Sequence, residues 1–125
     1  MPDTGTLHGD LAALAGVIVA SLPDPVLAAV APGLAADLGR HPGVAERFRQ
    51  TLIAAEQAQG AEILQRAVAR GELPHEPVPA PVHANVPGTV FARTFLFHRH
   101  PGPEPAARLA GLTAAGLRSL PPAAD

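Results

Sequence analysis

Apolar residues recur along this chain three to four positions apart, the spacing of one face of a helix, in successive segments separated by proline and glycine. Leu7, Leu11, Leu14, Ile18 and Leu22 form the first stripe and predict a helix over 7–22, with Thr6 as its N-cap. Pro23 ends it, because proline disfavours helical backbone in the residue before it. Asp24 then supplies a capping side chain and Pro25 a preset φ, which together start a second helix. Leu27, Val30, Leu34 and Leu38 stripe that helix, with a kink or short non-α turn expected at Pro32-Gly33.

The third helix is the longest, over about 42–70. Its stripe reads Ala45, Phe48, Leu52, Ala55, Gln59, Ile63 and Ala67, with a second line through Ile53, Leu64 and Val68. Gly60 costs this helix about 1 kcal/mol against alanine and points to a close helix contact. Its end, QRAVARGELP (65–74), places Arg66 and Arg70 near the negative end of the helix dipole. Gly71 there suits a left-handed cap, and Pro74 stops the helix.

PHEPVPAP (74–81) reads as a stiff connector. A fourth helix is expected over 81–98 through Val82, Val86, Val90, Phe91 and Phe95, interrupted at Pro87-Gly88. TVFARTFLF (89–97) is strand-like in composition, but its helical context favours helix. The last helix is expected over 105–120, with Leu109, Leu112 and Leu117 on or near one face. About five helices and no convincing strand make an all-α domain, a single one over 1–125.

Composition narrows the function classes. Alanine-rich apolar content with only four aromatic residues suits closely packed helices better than sheets. The net charge is −2, all nine basic residues are arginine, and none cluster, so no face is suited to displacing counterions from nucleic acid. Zero cysteine excludes disulfides, thiolate nucleophiles and cysteine-bound zinc. The longest apolar stretch, 11–22, is too short for a bilayer and lacks the basic flank of a signal peptide, which makes a soluble cytoplasmic protein the expectation.

Candidate chemistry is sparse. His98 and His100 form an H-x-H pair without the further ligands zinc needs, so they read as solvated loop residues and no metal or cofactor is expected. His41 reads as an exposed turn residue, and His83 with Asn85 offers polar lining to a pocket. Arg93 and Thr94 lie among Phe91, Phe95 and Phe97. Such an arginine can snorkel at the surface, pair across a dimer seam or contact an anion, and the first is commonest. No nucleophile elbow, thiol, helical E-x-x-H or phosphate-cradling loop is present, so an enzyme is not expected.

Taken together, TGTLHGDLAAL (4–14), DPVLAAVAPGLAADLGRHPGVAERFRQ (24–50), ILQRAVARGELP (63–74) and VPGTVFARTFLFHRHPGPE (86–104) resemble the C-terminal domain of TetR-family (tetracycline-repressor-type) transcriptional regulators. The resemblance covers nearly the whole chain. It implies a helical bundle that dimerises through its last two helices and binds a small hydrophobic or amphipathic effector between the long helix and its neighbours. It further implies that the domain serves a regulator, commonly a repressor. Carried onto this sequence, effector contacts fall to Phe48, Leu52, His83, Val86 and Val90, and homodimer contacts to Phe91, Phe95, Leu109, Leu112 and Leu117.

The family's DNA-binding half precedes a segment like TGTL, and only three residues precede Thr4 here. The expectation is therefore a chain without its helix-turn-helix domain, making no direct contact to nucleic acid. An alternative is a stand-alone helical interaction protein with no effector, which captures full-length regulators through the same face. A closed core beside the long helix would favour that alternative.

Overall fold

The computed structural model of the protein describes residues 3–21, 25–77, 80–99 and 103–122, and every regular element among them is helical. Helix α1 spans Leu7–Ser21, α2 Pro25–Arg40, and α3 Pro42–Phe48. A π-helical turn, Arg49–Ile53, joins α3 to α4, Ala54–Ala69, so that 42–69 forms one long rod. Helix α5 spans Ala80–Phe91 and runs into a second π-helical turn, Ala92–Leu96; α6 spans Pro103–Ser119. The segment of strand-like composition is helical, as its context indicates.

Two expectations about breaks change. Helix α2 continues past Pro32-Gly33 as α-helix, and α5 continues through Pro87. The irregularity of the fourth helix instead falls one turn later, in the π-helical turn.

The first π-helical turn lies within the stripe predicted along the third helix. An extra residue per turn advances the helix face by about 100°. Ala45 is buried before it and Gly60, Ile63, Leu64 and Ala67 after it, whereas Ala55 and Gln59, predicted on the same face, stand in solvent. Phe48, just before the turn, is half-buried.

Helix α1 is the centre of the bundle, packed most extensively on α6 and also on α5 and α4. Leu7, Leu11 and Leu14 enter the core as their spacing predicts, and Ile18 packs at its edge. Leu22 lies outside the described residues. From α6 the core receives Ala110, Ala114 and Leu117, beside the buried Thr113; these mostly small side chains, in one cluster with Ala15 of α1, suit close packing of the two helices. From α5 come Val82 and Val86, and from α4 Ile63, Leu64 and Ala67.

Among the described residues, helix α2 packs chiefly on α3. Of its predicted stripe, Val30 is exposed and Leu34 and Leu38 are half-buried, while the side chain of Leu27 lies outside the described residues.

Residues 4–14 and 65–74, both central to the family resemblance, meet in one polar clasp. Helix α4 ends in a Schellman motif: Gly71 takes φ +78°, its N–H donates to the Val68 carbonyl and that of Glu72 to the Ala67 carbonyl. This turn aims the Glu72 carboxylate at the start of α1, where both of its oxygens accept from the Leu7 N–H at 2.9 Å. Negative charge there also complements the positive end of the α1 dipole. Thr6 caps the same helix from within, its hydroxyl accepting from the Gly9 N–H at 3.0 Å.

One turn on, Asp10 is buried. Its carboxylate accepts from the Thr4 N–H at 2.7 Å, the Thr4 hydroxyl at 2.8 Å and Arg70 Nη2 at 3.0 Å. Arg70 also donates through Nε to Glu72 at 2.8 Å and reaches Asp3 at 3.3 Å, while Arg66 stands 3.8 Å from Asp10. Gly9 leaves room for this clasp, since a Cβ there would lie 2.2 Å from the Thr4 hydroxyl oxygen and force it to shift.

Burial pushes the Asp10 carboxyl up, but the Thr4 hydrogen bonds and the bonded, charged Arg70 outweigh it and hold the group below its ordinary value. Burial likewise raises Glu72, and the Leu7 N–H, Arg70 and the charge of Arg118 bring it below the usual range.

Candidate ligand cavity and dimer face

The closing of α4 against α1 leaves a gap farther along the two helices. A cavity of about 260 Å³ lies between the C-terminal half of α1 (Leu14, Val17, Ile18, Ser21), the start of α4 (Ala55, Glu56, Gln59) and α5 (Val82, Pro87). Its position follows from the packing already described. Ala55 and Gln59 stand off the core while Ile63, one turn beyond Gln59, is on it, and proline at position 87 offers a flat, donor-free surface in place of a longer side chain.

The walls are chiefly apolar, with the Glu56 carboxylate and Gln59 amide as the polar groups of α4. The Ser21 hydroxyl donates to the Ile18 carbonyl at 2.6 Å. An apolar hollow carrying a few polar groups is the usual form of a small-molecule site, although about 300–1,000 Å³ is the common size and this one lies just below it.

The residues expected to contact an effector are placed differently. Val86 and Val90 are buried in the protein interior, because the 82–86–90 line of α5 is its core-facing stripe. Phe48 is half-buried and contributes nothing to these walls. The side chains of Leu52 and His83 lie outside the described residues. Val82 and Pro87, one residue before and one after the expected positions 83 and 86, border the cavity instead. Neither was separable from core by periodicity alone.

The last two helices leave apolar side chains in solvent. Leu112 is 75% exposed, Leu96 66% and Phe97 65%. Phe91 and Phe95, one turn apart, hold their rings 4.9 Å between centroids at 50° and remain half-buried. Leu109 is half-buried against the core. Leu117 is 2% exposed and belongs to the chain's own core, which leaves it no surface for a partner. The expected single face of α6 is in fact two: 110, 113, 114 and 117 point inward and Leu112 outward.

The whole arrangement is helical, with a hollow between the long rod and its neighbours and exposed leucine and phenylalanine on the final pair. A scan of family models matches residues 1–113 to the family described as tetracyclin repressor-like, C-terminal domain. The chain belongs to this family. No curated protein and no solved structure matches the chain. TetR-like C-terminal domains are parts of transcription regulators rather than enzymes, and they typically dimerise and bind small-molecule effectors.

Several other residues read from the sequence can now be placed. His41 is exposed at the start of α3 and makes no capping hydrogen bond through its side chain. His98 is exposed with φ +49°, closing the second π-helical turn, and His100 lies outside the described residues. Among the described residues no three His, Asp or Glu side chains gather as a metal would require, and no helix is long and apolar enough to cross a membrane. The Asp10–Arg70–Glu72 clasp went unread. Its signal was there in the pairing of a polar residue inside an apolar stripe with the arginine-glutamate pair flanking Gly71.

Proposed function

We propose that this domain senses a small hydrophobic or amphipathic molecule and forms a homodimer, serving a TetR-like regulator that acts as a repressor. The observation that carries the reading is the cavity between α1, α4 and α5, in a member of a family whose domains bind effectors. It lies beside the long rod, where the family resemblance puts an effector. A small apolar molecule would contact Leu14, Val17 and Val82, with the Gln59 amide beside a polar substituent. The open hollow supports a ligand-binding domain over an interaction protein with a closed core.

The dimer would use the outward side chains of the last two helices, Leu112, Phe91 and Phe95, joined by Leu96 and Phe97 and flanked by Leu109. Exposed leucine and phenylalanine of this extent on one helical pair support burial against a second copy. Light scattering across a micromolar dilution series tests the association, and a clean monomer throughout would refute it. The sensing half is tested by calorimetric screening of apolar small molecules against the native protein and Val82→Trp, which fills the hollow. A ligand bound equally by both overturns the assignment of the cavity.

A further inference from the structure

A second cleft, of about 350 Å³, lies at the other side of α5, between its C-terminal end and the first turns of α6. Among the described residues it shares none with the α1–α4–α5 cavity. Two guanidinium groups, Arg93 and Arg108, line it, together with Thr89, Pro105, Leu109 and Leu112. Its carboxylate, Glu104, is already paired with Arg108 along α6, where both side chains are largely exposed.

Arg93 has no such partner among the described residues. It stands in the second π-helical turn and is half-buried, and its Nε is shut off from solvent with no hydrogen-bond acceptor among the described residues. A buried N–H without an acceptor carries a cost, and a π-helical turn is a common device for re-aiming a side chain at a functional site. Two cations against one committed carboxylate leave the cleft with an excess positive charge, next to leucine and proline walls.

We propose that this cleft binds a small organic carboxylate: the carboxylate accepts from the Arg93 and Arg108 guanidinium groups that line it, and an apolar body packs on Leu109 and Pro105. Planar, forked recognition of that kind is what arginine offers and lysine does not. The cleft thus constitutes a second ligand site, distinct from the hollow of the sensing reading and set beside the outward face of α6. Binding there is independent of whether the first cavity takes a ligand.

The test follows the Arg93 Nε–Hε resonance by NMR on the full chain while benzoate is added, with benzamide and inorganic phosphate as separate arms. Benzoate is expected to shift the signal saturably, benzamide to leave it unmoved, and phosphate to bind more weakly than benzoate. Arg93→Gln should weaken benzoate binding, read calorimetrically, by roughly tenfold or more, as loss of a charge-assisted hydrogen bond implies. Arg108→Gln, a change at an exposed position, provides the same readout should Arg93→Gln fail to fold, with a smaller loss expected. Equal binding of benzamide or phosphate, or benzoate affinity unchanged in the variants, overturns the proposal. So does an Arg93 signal that moves with protein concentration alone and responds to Glu104→Gln, which would assign the guanidinium to a carboxylate of a second copy.

Discussion

Replacing Arg70 by glutamine isolates the clasp that joins the start of α1 to the end of α4. The substitution removes the counter-charge from Asp10, whose side chain is 0% exposed, and from Glu72, which is 22% exposed. Breaking a fully buried pair by deleting one partner costs about 3–5 kcal/mol. Two features lower that figure here: the Arg70 side chain is 24% exposed, and Arg66 remains 3.8 Å from Asp10. The Thr4 bonds to Asp10 also survive. A loss of about 2–3 kcal/mol is expected, equal to roughly one or two charge-assisted hydrogen bonds.

With no Trp or Tyr in the chain, far-UV circular dichroism in a urea titration is the suitable assay. At roughly 3–6 °C per kcal/mol for a chain of this length, the thermal midpoint should fall by about 6–18 °C. The double-mutant cycle with Asp10→Asn should return a coupling of about 1–2 kcal/mol. A loss under about 0.5 kcal/mol, or additive single changes, would refute the claim that the clasp is an energetic unit.

The same pair fixes a pH dependence. The Asp10 and Glu72 carboxyls are held below their unfolded values, so the unfolded chain binds protons first as the pH falls. Their contribution is complete above the ordinary carboxylate range near about pH 4 and declines as the pH drops through the lower folded values. Asp10→Asn should flatten that decline; an unchanged acid slope contradicts the assignment.

Other substitutions probe separate links. Gly9→Ala forces the Thr4 hydroxyl aside and should cost about 1–3 kcal/mol of urea stability, whereas Gly16→Ala, where a Cβ meets nothing within 4 Å, should be neutral or slightly stabilising. Gly71→Ala puts a side chain at φ +78° and is expected to lose about 1 kcal/mol by the same assay. Leu11→Ala, at a fully buried position, should cost about 2–5 kcal/mol. Leu112→Asp should weaken association in light scattering and leave the melting of the diluted chain nearly unchanged, but Leu117→Asp should unfold it, because only the second buries an unpaired charge. Equal effects of the two leucine changes would contradict the inward–outward division of α6.

The sequence by itself determined the helices, most of their ends and the family. Those properties are local: apolar spacing sets the period, and Thr6, Pro25, Gly71 and Pro74 act on the backbone within a turn or so of where they stand. It also sufficed for α1, whose stripe is regular and buried in order. It could not tell which face of α6 turns inward, because Leu112 and Leu117 are equally apolar and only contact with α1 separates them. It placed Ala55 and Gln59 on the core line with Ile63 and Ala67, but only the latter two meet neighbouring helices, and that depends on where α1 and α5 lie. The residues around the hollow were not legible for a related reason: a hollow is the absence of packing between three helices, which no one of them encodes. The clasp, too, was decided in three dimensions. Asp10 and Arg70 are 60 residues apart, and burial of one gives the other its role only once α1 lies across the end of α4.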